Sequence, residues 1–62
     1  MYTILAQFSD GSFDRIAGNI PTWKLAFDFL MDTREDYPEN TFFTIGTTRQ
    51  IEDAEAQITN FS

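Results

Sequence analysis

The side chains that could carry chemistry in this chain of 62 residues are nearly all carboxylates. Ten Asp and Glu residues stand against four basic ones, and the chain contains neither histidine nor cysteine. Hydrolase-type nucleophiles need a base beside them, and transition metals in proteins are held mostly by imidazole and thiolate. Paired carboxylates can cleave glycosides, but the cleft between them needs walls that so short a chain can hardly build. We therefore expect no enzyme activity, no bound metal and no cofactor.

Five of these carboxylates lie close together in the middle of the chain. They are Asp28, Asp32, Glu35, Asp36 and Glu39. Residues three or four apart are neighbours on a helix, where each like-charged pair is destabilising by roughly 0.2–0.5 kcal/mol. The cluster also lies toward the carboxyl end of a predicted helix, where the helix dipole disfavours negative charge. Two interpretations follow: a solvated face that keeps an aromatic-rich chain in solution, or a negative patch that docks on a basic protein surface.

The net charge of −6 restricts the partners further. It repels phosphate backbones and anionic lipid head groups, so we expect no direct contact with nucleic acid or membrane. No apolar run approaches the roughly 20 residues that a membrane span needs, and the amino terminus shows no basic flank before an apolar run. We expect a cytoplasmic location, with another protein that has a basic surface as the partner.

The elements that must position these groups begin with a predicted hairpin. Residues 2–8 and 13–17 read as strands, and Asp10-Gly11 between them is typical of a two-residue turn. With that turn, Leu5 lies opposite Ile16. One face then carries the predicted core residues Tyr2, Ile4, Ala6, Phe8, Phe13 and Ala17. A longer turn would shift the register and break the pairing of Leu5 with Ile16.

A helix is predicted to follow the hairpin. Thr22 is a suitable N-cap, because its hydroxyl can accept a hydrogen bond from a free amide one turn inside the helix. The stripe expected to form at helical spacing holds Trp23, Ala26, Phe27 and Leu30. Leu25, Phe29 and Met31 widen the apolar side beyond the arc of about 100° that is typical of a surface helix. Tyr37-Pro38 ends the helix, since proline disfavours helical geometry in the residue before it.

The end of the chain is predicted to add a strand and a second helix. Residues 40–47 are rich in Thr, Phe and Ile, which favours a third strand. Thr47 and Gln50 then fit a capping box at the start of a helix, with a fourth strand over 57–61 as the alternative. The predicted fold is a single small acidic α+β domain over residues 1–62. It has a three-stranded antiparallel sheet, the order β-β-α-β-α, and helices packed on one face.

Apolar residues are more numerous than this core needs. Leu5 and Ile16 fall on the outer face of the predicted hairpin, and Leu25 and Phe29 fall at the margin of the helix. A contiguous exposed group of this kind would form an interface, whereas a carboxyl-terminal segment that crosses over would bury it. If the face with Leu5 and Ile16 stays open, a homodimer would cover it and stabilise a domain near the lower size limit.

The leading hypothesis is a small acidic binding module that inhibits or modulates a larger protein. Many virus-encoded modulators of host or defence proteins are small acidic chains without cysteine, so this composition suits that role. The cluster from Asp28 to Glu39 would steer the encounter, and Phe29 and Tyr37 would anchor it. Mimicry of nucleic acid is a sharper form of this hypothesis. Self-association of a structural module without an inhibitory role is the alternative.

Overall fold

A three-stranded antiparallel sheet forms the centre of the computed structural model, which describes residues 1–61 and the side chains of residues 1–59. The strands are β1 (Tyr2–Gln7), β2 (Phe13–Ile20) and β3 (Phe42–Thr47), and β1 lies in the middle. Helix α1 (Trp23–Thr33) continues into a 3₁₀ turn (Arg34–Asp36), and helix α2 (Thr48–Phe61) follows β3. The predicted α+β class, the antiparallel sheet and the order β-β-α-β-α are confirmed.

The two helices lie on opposite faces of the sheet. On one face, the Thr3 hydroxyl oxygen is 3.2 Å from that of Thr48, at the start of α2. Gly46 pairs with Thr3, and a Cβ placed on Gly46 would be 3.5 Å from the Ile51 side chain of α2. Side chains alternate along a strand, so the neighbouring residue Ile4 points to the other face, which α1 covers.

This arrangement departs from the expectation that both helices share one face, and the width of the sheet explains why. Three strands about 4.8 Å apart span about 10 Å, which is the room that one helix occupies. The Cα positions of the described chain extend 10 Å in their thinnest direction, a value that matches this width. Both faces of β1 also carry an apolar residue, Ile4 on one and Leu5 on the other, and each is fully buried.

The hairpin between β1 and β2 has a longer turn than Asp10-Gly11 alone. Gln7 pairs with Phe13, so the register that a two-residue turn at Asp10-Gly11 would set is wrong next to the turn. The Phe8 amide donates to the Ser12 carbonyl over 2.8 Å, and Gly11 takes φ +90°, which glycine adopts without strain. Two hydrogen bonds to the Asp10 carboxylate lower the pKa of Asp10. The larger effect comes from the Ser12 hydroxyl and the smaller one from the Ser12 amide.

The longer turn also removes the expected pair between Leu5 and Ile16. Leu5 pairs with Arg15 and Ile4 with Ala17, so Ile16 falls in the irregularity between them. Leu5 is fully buried beneath α2, and Ile16 is half-buried. The alternative in which the carboxyl-terminal segment covers this face therefore holds, and Leu5 cannot contact a second copy in this fold.

Local hydrogen bonds fix the first turn of each helix as the sequence predicts. The Thr22 hydroxyl accepts from the Leu25 amide over 3.2 Å at the start of α1. Thr47 and Gln50 form a reciprocal capping box: the Thr47 amide donates to the Gln50 side chain over 2.9 Å, and the Gln50 amide donates to the Thr47 hydroxyl over 3.2 Å. Because α2 continues to Phe61, the alternative of a fourth strand over 57–61 is wrong.

Candidate functional site

Helix α1 leaves most of its apolar side chains in contact with solvent. Ala26 is its only fully buried residue. Five large apolar side chains are between 40% and 52% exposed: Trp23, Leu25, Phe27, Phe29 and Met31. A surface helix of a globular protein ordinarily turns such residues toward the core. The apolar surface of α1 is therefore larger than the fold uses.

The narrow sheet explains how these side chains come to be exposed. At about 100° per residue, Trp23, Phe27 and Met31 lie along one flank of α1, while Leu25 and Phe29 lie along the other. A sheet of three strands reaches beneath the line of Ala26 but not beneath both flanks. Of the predicted stripe, Ala26 is buried against the sheet, while Trp23 and Phe27 are 50% and 40% exposed.

The aromatic residues of the first flank also contact each other. The rings of Trp23 and Phe27 stack with their centroids 5.2 Å apart and an angle of 15° between their planes. Two stacked rings on an exposed helix make a rigid apolar surface with few side-chain torsions left to order. Such a surface can bind a partner at a small entropic cost.

The predicted acidic residues follow the same helix and the loop after it. Asp28 and Asp32 lie on the outward side of α1, between its two apolar flanks, and we call this pair the acidic ridge. Glu35 and Asp36 lie in the 3₁₀ turn, and Glu39 lies in the loop before β3. All five are exposed. Among the side chains that the structure describes, the one ion pair lies elsewhere, between Arg15 and Glu55.

The two predicted aromatic anchors differ in the structure. Phe29 is exposed beside the acidic ridge and is free to anchor a partner. Tyr37 is half-buried, with its ring centroid 6.1 Å from that of Phe8 and 5.7 Å from that of Phe43. It is therefore part of a small aromatic cluster and can offer only part of its surface. The sequence prediction missed Trp23 and Phe27 as exposed aromatic residues.

A half-open groove of about 730 Å³ runs between the end of α1, the following loop and β3. Its lining consists of Phe27, Leu30, Met31, Arg34, Glu35, Tyr37, Glu39, Thr41 and Phe43. Rings and aliphatic chains line it together with Glu35 and Glu39. The groove joins residues that are up to 16 positions apart (43 minus 27), so helical periodicity alone does not reveal it. Two members of the predicted acidic cluster thus share it with Tyr37.

Among the described residues, no three carboxylates converge to hold a metal ion. No helix within the described part of the chain is long and apolar enough to cross a membrane. Comparisons of the chain with protein-family models, with curated proteins and with solved structures find no match.

Proposed function

We propose that this protein is a small acidic binding module that inhibits or modulates a larger protein in the cytoplasm. It docks the outward side of α1 on a basic surface of that protein. One observation carries the proposal: α1 exposes apolar side chains on both flanks of the acidic ridge, whose two carboxylates have no described ion-pair partner. Because the exposed side combines apolar area with negative charge, a basic protein surface with apolar contacts is the complement.

The two kinds of side chain would contribute differently to binding. Burying the remaining exposed half of each large apolar side chain would contribute about 1 kcal/mol, so the five together give a substantial driving force. The carboxylates would mainly raise the association rate and select basic partners. We expect Phe29, Trp23 and Phe27 to act as anchors, because aromatic residues in the centre of an interface dominate its energy.

Nucleic-acid mimicry is the sharper form of the proposal. The exposed carboxylates continue along the chain from Asp28 through the 3₁₀ turn to Glu39, so they form a series of negative charges. A protein that holds DNA or RNA on a basic surface would accept such a series in place of phosphates. Phage-type modulation of a host or defence protein fits this mode of action. The test is competition: the protein should displace DNA or RNA from its target without binding nucleic acid itself.

A paired charge reversal tests the docking surface once the partner has been isolated. We expect Asp28→Lys with Asp32→Lys to weaken binding by about tenfold or more, and the wild-type affinity to fall with added salt. The matched control is Glu52→Lys with Asp53→Lys, which makes the same charge change on the exposed side of α2. Equal losses in both double variants, measured by calorimetry at 150 mM salt, would show that only net charge matters and would contradict docking through α1.

Self-association is the second candidate, because the same exposed flanks of α1 could pack against a copy of themselves. Leu5 is buried, so the outer sheet face cannot serve. A two-fold contact through α1 would bring the acidic ridges of two copies, each of net charge −6, toward one another, which disfavours it. We expect a monomer in sedimentation from nanomolar to roughly 100 μM concentration. Even a weak dimer, with an association free energy of about −5 to −8 kcal/mol, would form within this concentration range.

A further inference from the structure

We infer that the groove beside β3 binds an extended segment of the partner that carries arginine, and that this segment pairs with the open edge of β3. The inference deepens the proposed function and rests on it. It names the chemistry of the partner at one end of the docking surface. Three features support it: a free strand edge, an aromatic floor with carboxylates beside it, and a buried hydroxyl group without a partner.

The open edge follows from the pairing of β3 with β1. The Thr48 amide donates to the Met1 carbonyl over 3.1 Å, so Met1 and Thr48 are a hydrogen-bonded pair of the antiparallel ladder. Hydrogen-bonded and non-bonded pairs alternate along such a ladder. The backbone groups of Thr47, Ile45 and Phe43 therefore point away from β1. Within residues 1–61, the sheet order β2-β1-β3 puts no strand on that side of β3.

The outward backbone amide of one of these three residues already has a hydrogen-bond acceptor, and the outward groups of the other two can pair with a further strand. The Thr47 amide points outward and donates to the Gln50 side chain over 2.9 Å, which agrees with the alternation. Ile45 and Phe43 keep outward amide and carbonyl groups that a further strand could pair with. An extended peptide that adds to such an edge gains main-chain hydrogen bonds, and its side chains reach pockets on either face. Phe43 lines the groove, so the edge and the groove adjoin.

The groove offers what a guanidinium group binds. Phe27, Tyr37 and Phe43 supply aromatic faces, and a cation over such a face is attracted by the ring quadrupole. Glu35 and Glu39 line the same groove and can accept two parallel hydrogen bonds from arginine. Arginine fits better than lysine, because its flat head both stacks on rings and binds carboxylates in a fork. The volume of about 730 Å³ holds a short segment and not merely one side chain.

Thr41 supplies the third feature. Its side-chain oxygen is buried and has no hydrogen-bond partner among the side chains and backbone groups that the structure describes. A buried hydroxyl without a partner is costly, so a donor that reaches it contributes more than it would at an exposed site. Thr41 lines the groove together with the aromatic residues Phe27, Tyr37 and Phe43. An arginine head group has donors to spare for it.

Arg34 is the cation of the protein itself that lines this groove. Its Nη1 lies 3.8 Å from the Met31 sulfur, a weak contact at the end of α1. In the free protein Arg34 supplies positive charge near Glu35, and it repels an arginine that enters from outside. Removal of this charge should therefore tighten binding of the partner segment, whereas removal of a carboxylate should weaken it. Opposite changes in affinity from these two kinds of substitution, both in one groove, are specific to recognition of a cation.

The test uses an acetylated and amidated octapeptide in which arginine alternates with valine. Its control is the same peptide with citrulline, which keeps the shape and loses the charge. We expect Glu39→Gln to weaken binding of the arginine peptide about three- to fivefold and Arg34→Gln to strengthen it by a similar factor. Asp53→Asn, on the exposed side of α2, is the matched control and should leave the affinity unchanged. Amide exchange at Phe43 and Ile45 should slow when the peptide is bound.

Either of two results would overturn the inference. One is equal binding of the citrulline peptide, and the other is unchanged exchange at Phe43 and Ile45 in the saturated complex. The isolated partner then separates this inference from the proposed function. If the change at Asp28 and Asp32 weakens the partner while Glu39→Gln and Arg34→Gln do not alter its affinity, the groove assignment fails and docking through α1 stands. If the groove variants act as expected on the peptide while the partner ignores α1, the proposed function fails.

Discussion

The two helices of this protein lie on opposite faces of one narrow sheet and are held to it very differently. Helix α2 buries Ile51 against the sheet, starts with a reciprocal capping box, and is joined to β2 by the ion pair between Arg15 and Glu55. Helix α1 buries only Ala26 fully and starts with a single capping bond. The same narrow sheet lies beneath both helices and leaves their flanks uncovered. The helices differ in what those flanks carry: polar side chains on α2 and apolar side chains on α1.

The comparison separates residues that the fold needs from residues that it does not use. The outward side of α2 is polar, with Glu52, Asp53 and Gln57 exposed, as expected for a helix that only covers a core. The flanks of α1 carry exposed aromatic and aliphatic side chains that add little to the core. Exposed apolar side chains gathered on one helix make α1 the candidate for an interaction site. We therefore assign α2 to the stability of the fold and propose α1 as the docking surface.

The largest expected effect comes from shortening a core residue of α2. Ile51→Ala should lower the free energy of unfolding by about 2–4 kcal/mol, because it removes buried methyl groups and leaves a cavity. Phe29→Ala, a larger truncation on α1, should lower it by less than about 1 kcal/mol, since Phe29 is exposed. Urea titrations followed by tryptophan fluorescence measure both. A loss for Phe29→Ala as large as that for Ile51→Ala would break the distinction between the helices.

A smaller effect is expected at the helix starts. Removing the capping box with Thr47→Ala and Gln50→Ala together should lower the free energy of unfolding by about 1–2 kcal/mol. Thr22→Ala, which removes the single bond at the start of α1, should lower it by about 0.5–1 kcal/mol. The measurement is again urea unfolding, with far-ultraviolet circular dichroism as the signal. A greater loss at Thr22 would mean that α1 is the helix on which the fold depends.

The smallest effect is expected at the ion pair that joins α2 to β2. Glu55→Gln should lower the free energy of unfolding by about 0.2–1 kcal/mol, since both partners are partly exposed. The hydrogen bond to Glu55 raises the pKa of Arg15, so Arg15 stays charged throughout. The loss should shrink in 1 M salt, where charges are screened within about 3 Å. A loss that persists there would assign the contact to hydrogen bonding and packing.

Much of the fold is predictable from the sequence because the deciding interactions are local. The caps at Thr22 and Thr47 involve residues three positions apart, and the element order follows from such signals. The strand register is different, because it depends on a turn whose length the Asp10-Gly11 pair does not fix. The placement of the helices on opposite faces depends on the width of the sheet, which is a property of all three strands together.

The candidate site is predictable only in part, for the same reason. Helical spacing alone places Asp28 and Asp32 on the outward side of α1. It also groups Trp23 and Phe27 with Ala26 in one apolar stripe, but it does not show how much of that stripe the sheet covers. The groove draws on a helix, a loop and a strand, so no local pattern contains it.

Hydroxyl-radical footprinting of the protein in complex with its isolated partner tests the central claim most directly. The two methionines form an internal control: Met31 lies on the exposed flank of α1, and Met1 is exposed beside the start of α2. Docking through α1 predicts that oxidation of Met31, Trp23 and Phe29 falls severalfold in the complex, while oxidation of Met1 is unchanged. Protection of Met1 with unchanged oxidation of Met31 and Trp23 would contradict it.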